Sequence, residues 1–178
     1  MDIAKAYDTT WKPGLWYKLK ETGLDAQVLD LIRAMYHKVV RRVLVRGDTS
    51  PEFEVELGVP QGAVLSPLLY ACYINGLHAE LRAKGLGVWV YGKLVSLLLY
   101  ADDIVLLVDS PEALQESLRV VEDYARRWRF SVNHGKSNVM VVGSAADKSH
   151  AASCRWVLEG TSIDATDLYK YLGIDISN

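Results

Sequence analysis

The chain has 178 residues, half of them hydrophobic and 24% charged, with 20 Lys+Arg against 22 Asp+Glu for a formal net charge of −2. That balance excludes a disordered tail, and with no basic excess any grip on nucleic acid has to be local or supplied by another segment. Cys72 and Cys154 lie far apart and the four histidines lack ligand spacing, which argues against a disulfide scaffold or a zinc site and for a reducing, intracellular setting.

The length fits one domain over 1–178. The chain opens directly on "DIAKAYD", with no strand or cap before it. Pro13 to Thr22 reads as a short helix stopped by Gly23, and Asp25 caps a second in which Val28, Leu29, Leu31, Ile32, Met35 and Tyr36 recur at helical spacing. Val39–Arg46 and Glu52–Leu57 flank "GDTSP" as a hairpin. "GVPQG" breaks regular structure. Ser66 and Pro67 then read as the N-cap and first residue of an apolar helix running on to Gly85. Val88–Tyr91 and Leu94–Leu99 bracket Gly92–Lys93 as a second hairpin, and Leu97–Leu99 and Ile104–Val108 bracket "YADD" as a third. Ser110–Pro111–Glu112 opens an amphipathic helix with Leu114, Leu118, Val121, Tyr124 or Ala125, and Trp128 on one face. "VNHGKS" is a loop; Val139–Val142, "RWVLEG" and "YKYLGIDI" supply short strands. Hairpins outnumber β-α-β units, so the predicted class is α+β, an antiparallel sheet backed by helices. The apolar run Leu94–Val108 is too short to span a membrane and carries two acids at its centre.

Those acids are the feature to explain. Asp102 and Asp103 sit inside "LLLYADDIVLLV", where an unpaired carboxylate costs several kcal/mol and two adjacent ones repel. Taken alone, such a pair is more often an exposed turn, yet the connection has no Gly or Asn to ease one. The sharper reading is a divalent cation, for which magnesium asks one or two carboxylates plus water and phosphates. Asp2 and Asp8, each beside apolar residues, are the other acids in reach of the argument; Asp8 before Thr9–Thr10 also suits a simple cap.

"DIAKAYD", "GVPQGAVLSPLLYACYIN", "LLYADDIVLL", "NHGKS" and "YKYLGI" follow one another in the order and rough spacing of the palm motifs of reverse transcriptases. The wording most resembles the non-LTR, LINE-type retrotransposon branch, and the resemblance runs from Asp2 to about Gly173. It implies a palm-type antiparallel sheet with a ferredoxin-like core, within which 25–60 would be a partial fingers segment. It also implies an RNA-directed DNA polymerase that extends a DNA primer on an RNA template with deoxynucleoside triphosphates. Two Mg²⁺ ions, with Mn²⁺ as a substitute, would activate the primer hydroxyl and stabilise the leaving pyrophosphate.

By that resemblance Asp2 and Asp102 are metal-binding aspartates, with Asp103 the acidic neighbour, and Lys136 is the general acid for pyrophosphate. Tyr7 matches the aromatic gate against the ribose 2′ position, with Ile3, Gln61 and Gly62 also at the nucleotide. Tyr100 and Ala101 resemble residues beside the primer end, and Tyr171, Leu172 and Gly173 the primer grip. Each has a plainer alternative: a core tyrosine for Tyr7, a loop hinge for Gly62, a solvated lysine for Lys136, a core strand end for Tyr171. Lys38, Arg41, Arg42 and Arg46 suit either a template strand or a solvated face, while Arg126, Arg127 and Arg129 suit a helix C-terminus. The fingers segment expected before Asp2 and the thumb expected after the grip are not in this sequence. The expectation is therefore a palm from a larger polyprotein, in the cytoplasm or nucleus with no membrane partner. The alternative is a catalytically inactive retroelement-derived fold or a nucleic-acid or protein binding module.

Overall fold

The computed structural model describes residues 1–177, Ala152 by its backbone only. Helices and small, mostly antiparallel sheets alternate along the chain, so the α+β class holds. Backbone contacts divide it into two compact units: a smaller one of Lys5–Gly76 with Trp128–Phe130, and a larger one of Met1–Ala4, Leu77–Arg127 and Ser131 onward.

In the smaller unit a short helix α1 (Ala6–Thr9) precedes α2 (Lys12–Glu21) and α3 (Ala26–His37). Gly23 ends α2, and the Asp25 carboxylate caps α3 by accepting from the Gln27 and Val28 amides, as predicted. The hairpin that follows turns earlier than expected. β1 (Val39–Arg41) pairs with β4 (Phe53–Val55), and an inner ribbon of β2 (Leu44–Val45) and β3 (Asp48–Thr49) reverses at Arg46–Gly47. α4 (Ser66–Ile74) packs on α2. Ser66 is not its cap. Leu65 holds that position, Pro67 is the second helical residue, and the Ser66 hydroxyl is buried without a hydrogen-bond partner among the described residues. The predicted run to Gly85 is interrupted at Asn75, because Asn-Gly is a poor pair for continuing a helix. Leu15, Leu19, Leu69, Tyr70 and Tyr73 form the core, and burial pushes the Tyr73 phenol up to about 12, against a hydrogen bond with the Trp11 backbone and the nearby Arg129 charge.

The larger unit begins with α5 (Gly76–Ala83), then β5 (Val88–Val90) and β6 (Lys93–Val95) around a Tyr91–Gly92 turn, one residue earlier than predicted. β7 (Leu97–Tyr100) and β8 (Asp103–Leu106) form the third hairpin, closed by Ala101–Asp102. Single antiparallel bridges add two more segments: Asp2 lies opposite Asp103, and Ile3 opposite Val132. The amphipathic α6 (Pro111–Trp128) buries Leu118, Val121, Tyr124 and Ala125, and Ser110 accepts from the Ala113 amide at its start. The predicted strand Val139–Val142 is reduced to β9 (Asn138–Val139). α7 (Ala145–Ser153) follows, begun by a capping box between Ser144 and Asp147 that lowers the Asp147 pKa. β10 (Trp156–Leu158) pairs with β11 (Thr161–Ala165), which pairs in parallel with β9. β12 (Leu168–Tyr171) and β13 (Ile174–Ser177) close the chain as a hairpin. α7 and β11 were missed in the sequence. Among the described residues no helix is long and apolar enough to cross a membrane.

Candidate active site

The acid site is assembled from the backbone. Ile104 N–H donates to the Met1 carbonyl at 2.9 Å and Ile3 N–H to the Asp102 carbonyl at 3.1 Å, which makes Asp2 and Asp103 a directly opposed pair with no hydrogen bond of their own. This is the closer of the two antiparallel pairings, and both side chains leave the same face about 4.5–5.5 Å apart at Cβ. On its other edge the Asp2 carbonyl accepts from Asn133 N–H at 2.8 Å and Ala4 N–H donates to Ser131. Buried Ile3, Leu97, Ile104 and Val132 lie in the same strands, so the acids stand on a rigid apolar base. Sequence resemblance ranks Asp102 ahead of Asp103; the register sets Asp103 across from Asp2, with Asp102 in the turn. That turn is strained, since Ala101 takes φ +52° without being glycine.

Neither Asp102 nor Asp103 receives a side-chain hydrogen bond among the described residues; Asp2 has Lys136 Nζ at 3.7 Å from Oδ2, and the buried Met1 ammonium, which donates to the Ile104 carbonyl, lies in the field of both Asp103 and Asp2. Lys136 reaches it from a 3₁₀ turn, His134–Lys136, held by the Asn133 link to Asp2 and by His134 Nε2 against Glu159 at 3.0 Å. Burial raises the phenol pKa of Tyr169 and Tyr171, with further raising by Asp103 on both and by Asp2 on Tyr169. The primer-grip hairpin of the resemblance, with Leu172 at φ +50° and Gly173 at its tip, thus lies in the field of the acid pair. Tyr169 was not singled out in the sequence; its alternation with Tyr171 on one strand face is the signal that marks it.

Two half-buried carboxylates on one face, with no side-chain hydrogen bond between them, fit a hard divalent cation, which needs no more than two protein carboxylates when phosphates and water complete its shell. Among the described residues no three of His, Cys, Asp and Glu gather into a metal cage. Ile3 is 1% exposed with its N–H engaged, so its side chain belongs to the core. Tyr100, 64% exposed, and Ala101 stand at the turn of the β7–β8 hairpin.

Tyr7, Gln61 and Gly62 belong to the smaller unit. Tyr7 stacks on Tyr70 with ring centroids 5.2 Å apart. Its carbonyl accepts from Val59 N–H at 2.8 Å, and Gly58 N–H donates to Thr10 at 2.8 Å, which fastens the "GVPQG" segment to the Tyr7–Thr10 turn. Gln61 Nε2 donates to Asp8 Oδ2 at 3.2 Å, while Arg41 Nη1 lies 3.6 Å from Asp8 Oδ1. Of the basic cluster, Arg41 and Arg42 are thus paired within the unit, Arg42 with Glu52. Arg126 and Arg127 pair with Asp123 and Glu80, as the structural reading of that cluster expects.

A family model described as reverse transcriptase (RNA-dependent DNA polymerase) matches residues 1–176. The chain belongs to the reverse transcriptase family. It is 35% identical over 182 residues to the RNA-directed DNA polymerase from mobile element jockey of Drosophila funebris, covering 98% of this chain and 19% of that protein. It is 34% identical over 146 residues to the probable RNA-directed DNA polymerase from transposon X-element of Drosophila melanogaster, covering 78% of this chain and 15% of that protein. A Pol polyprotein from a type-1 retrotransposable element R2 of Popillia japonica is 27% identical over 187 residues, covering 100% and 30% respectively. All three come from mobile elements, as the resemblance to the non-LTR branch implies. The reverse transcriptase chain spans about a fifth of the length of the first of these relatives and about a seventh of the second.

Proposed function

We propose that the chain is the palm region of an RNA-directed DNA polymerase, in which Asp2 and Asp103 hold the catalytic cation and Asp102 assists from the turn. The observation that carries this reading is the directly opposed pair Asp2 and Asp103, without a hydrogen bond between them, next to a strained two-residue turn. Two divalent ions, Mg²⁺ or Mn²⁺, supply activation of the primer 3′-hydroxyl and neutralisation of the leaving pyrophosphate when bound. The chain's own residues do the rest. Lys136 stands beside Asp2, able to pass a proton to the departing phosphate. Tyr7, braced by Tyr70, gates the sugar; Gln61 and Gly62 meet the incoming deoxynucleotide; Tyr100, Ala101, Tyr171, Leu172 and Gly173 hold the primer end on its RNA template. The palm-type, ferredoxin-like arrangement is supported by the four segments Leu97–Tyr100, Asp103–Leu106, Met1–Ala4 and Ser131–Asn133 running antiparallel through the acid pair. Residues 25–60, within the smaller unit, are assigned to the fingers. Coverage of about a fifth of the relatives supports work within a larger polyprotein, inside the cell where RNA template and deoxynucleotides meet.

Primer extension on an RNA template with Mg²⁺ or Mn²⁺ tests this. Extension is expected from the wild type and its loss from Asp2→Asn, Asp103→Asn and Asp102→Ala. No extension together with no calorimetric heat of metal binding would sink the reading in favour of the inactive fold.

A further inference from the structure

The β5–β6 hairpin has no part in the acid site, yet it exposes the most conspicuous aromatic pair in the larger unit. Trp89 is 72% exposed and Tyr91 fully so. Burial of either ring is worth more than almost any other side chain's, so leaving both in water has a cost. Tyr91 adds another, because it takes φ +46° at a turn position that Asn or Gly fills without strain. Beneath the hairpin lies a cleft of about 560 Å³, lined by His78 and Arg82 from α5 and by Trp89, Lys93 and Leu94 from the strands. His78 and Arg82 are one helical turn apart on the same face. No carboxylate lines the cleft, and neither Arg82 nor Lys93 has an ion-pair partner among the described residues. The neighbouring charges are occupied elsewhere, Glu80 by Arg127 and Lys84 by Glu116.

We infer that this cleft is a binding site for single-stranded nucleic acid, distinct from the acid pair. The indole of Trp89 offers a flat face to one base, Tyr91 extends the platform to the next, and Arg82 and Lys93 meet the phosphates between. That combination of an aromatic platform and unpaired cations is what sequence-tolerant single-strand binding needs. It also answers the net charge of −2: the basic contact is local, as the composition requires. A protein partner would be expected to offer acids for Arg82 and Lys93, but it gives no particular reason for two exposed aromatic rings beside unpaired cations.

The site is tested on the intact chain in EDTA without nucleotide, so that its outcome is independent of polymerisation. Anisotropy of a labelled oligouridylate of about twelve nucleotides reads the affinity. Trp89→Ala is expected to weaken binding roughly 5- to 150-fold, the range for one stacked base, and Trp89→Phe to restore most of it. Arg82→Gln should lower the slope of log affinity against log salt by about 0.7. Arg126→Gln, whose partner is Asp123 on the same helix, should change nothing. A bromouridine-substituted strand should crosslink to the Val88–Val95 segment. A wild type that fails to bind, full-strength binding by Trp89→Ala, or equal preference for duplex would overturn the inference and leave the hairpin as a protein contact.

Discussion

The acid pair of the larger unit and the Asp8 turn of the smaller one both set carboxylates among apolar residues, and they hold them in opposite ways. Around Asp2 and Asp103 the backbone is hydrogen-bonded on both edges, while the carboxylates face only Lys136 and the Met1 ammonium. At Asp8 the carboxylate itself is the fastener, accepting from Gln61 and facing Arg41. An acid that closes a loop has its interactions satisfied within the fold. An acid fixed by its backbone, facing a like charge and only loosely paired, carries repulsion that an added cation would relieve, which is more often the property of a site than of a strut.

Neutralising one of the opposed acids should therefore separate function from stability more sharply than any other change. Asp103→Asn is expected to lower primer extension on the order of 10³-fold or more, the scale of single catalytic carboxylates. In metal-free urea denaturation the same substitution should stabilise the larger unit by about 0.2–1 kcal/mol, because like charges directly opposite each other are destabilising. A loss of stability instead would show the Asp103 carboxylate to be structural and erase the contrast with Asp8.

The two glycines of "GVPQG" sharpen the same contrast within the smaller unit. Gly58 has φ +83°, and a Cβ there would lie 2.6 Å from the Asp8 carbonyl oxygen and 2.7 Å from that of Tyr7. Gly58→Ala should cost about 3 kcal/mol and detach the segment that carries Gln61. Gly62 has φ +84° but nothing within 4 Å, so Gly62→Ala should cost only the backbone strain of about 1–2 kcal/mol. Chemical denaturation of the two variants checks the difference. Equal costs would mean that close approach at Gly58 does not hold the loop.

Much of this was readable in advance where the cause is local. Asp25 and Ser110 cap the helices they were expected to cap, because the donors they satisfy lie two or three residues away. The first three hairpins were found, the "YADD" turn among them, but the Arg46 and Tyr91 turns fall earlier than expected and "YKYLGIDI" folds back at Leu172–Gly173 instead of forming one strand. Arg46, Tyr91 and Leu172 adopt positive φ where a sequence reading looks for glycine or asparagine first. α7 carried a visible Ser-x-x-Asp capping signal, but no apolar periodicity to draw attention to it. That Asp103 rather than Asp102 stands directly across from Asp2 could not be read at all. It depends on whether the turn holds two residues or more, and on a bridge to Asp2 a hundred residues upstream that no local pattern encodes. The motifs supplied by resemblance the site residues that physics alone left as exposed turns.

The smallest expected effect is also the one that most directly compares the two acids. Asp8 and Arg41 are each about 40% exposed and 3.6 Å apart, so their attraction is screened and contributes at most about 1 kcal/mol. Asp8→Asn keeps an oxygen for the Gln61 amide and removes only the charge, and it should lower stability slightly, within that limit. The shift should fade as salt is raised toward 1 M, where screening reaches about 3 Å. Asp103→Asn should move in the opposite direction at low salt and fade likewise, since its cause is also Coulombic. Two isosteric substitutions of the same residue type, giving shifts of opposite sign that both vanish with salt, would locate the unbalanced negative charge at the strand pair and nowhere near the Asp8 turn. Matching signs would mean that the partners around Asp2 and Asp103 already balance the pair, which removes the electrostatic reason for a cation there.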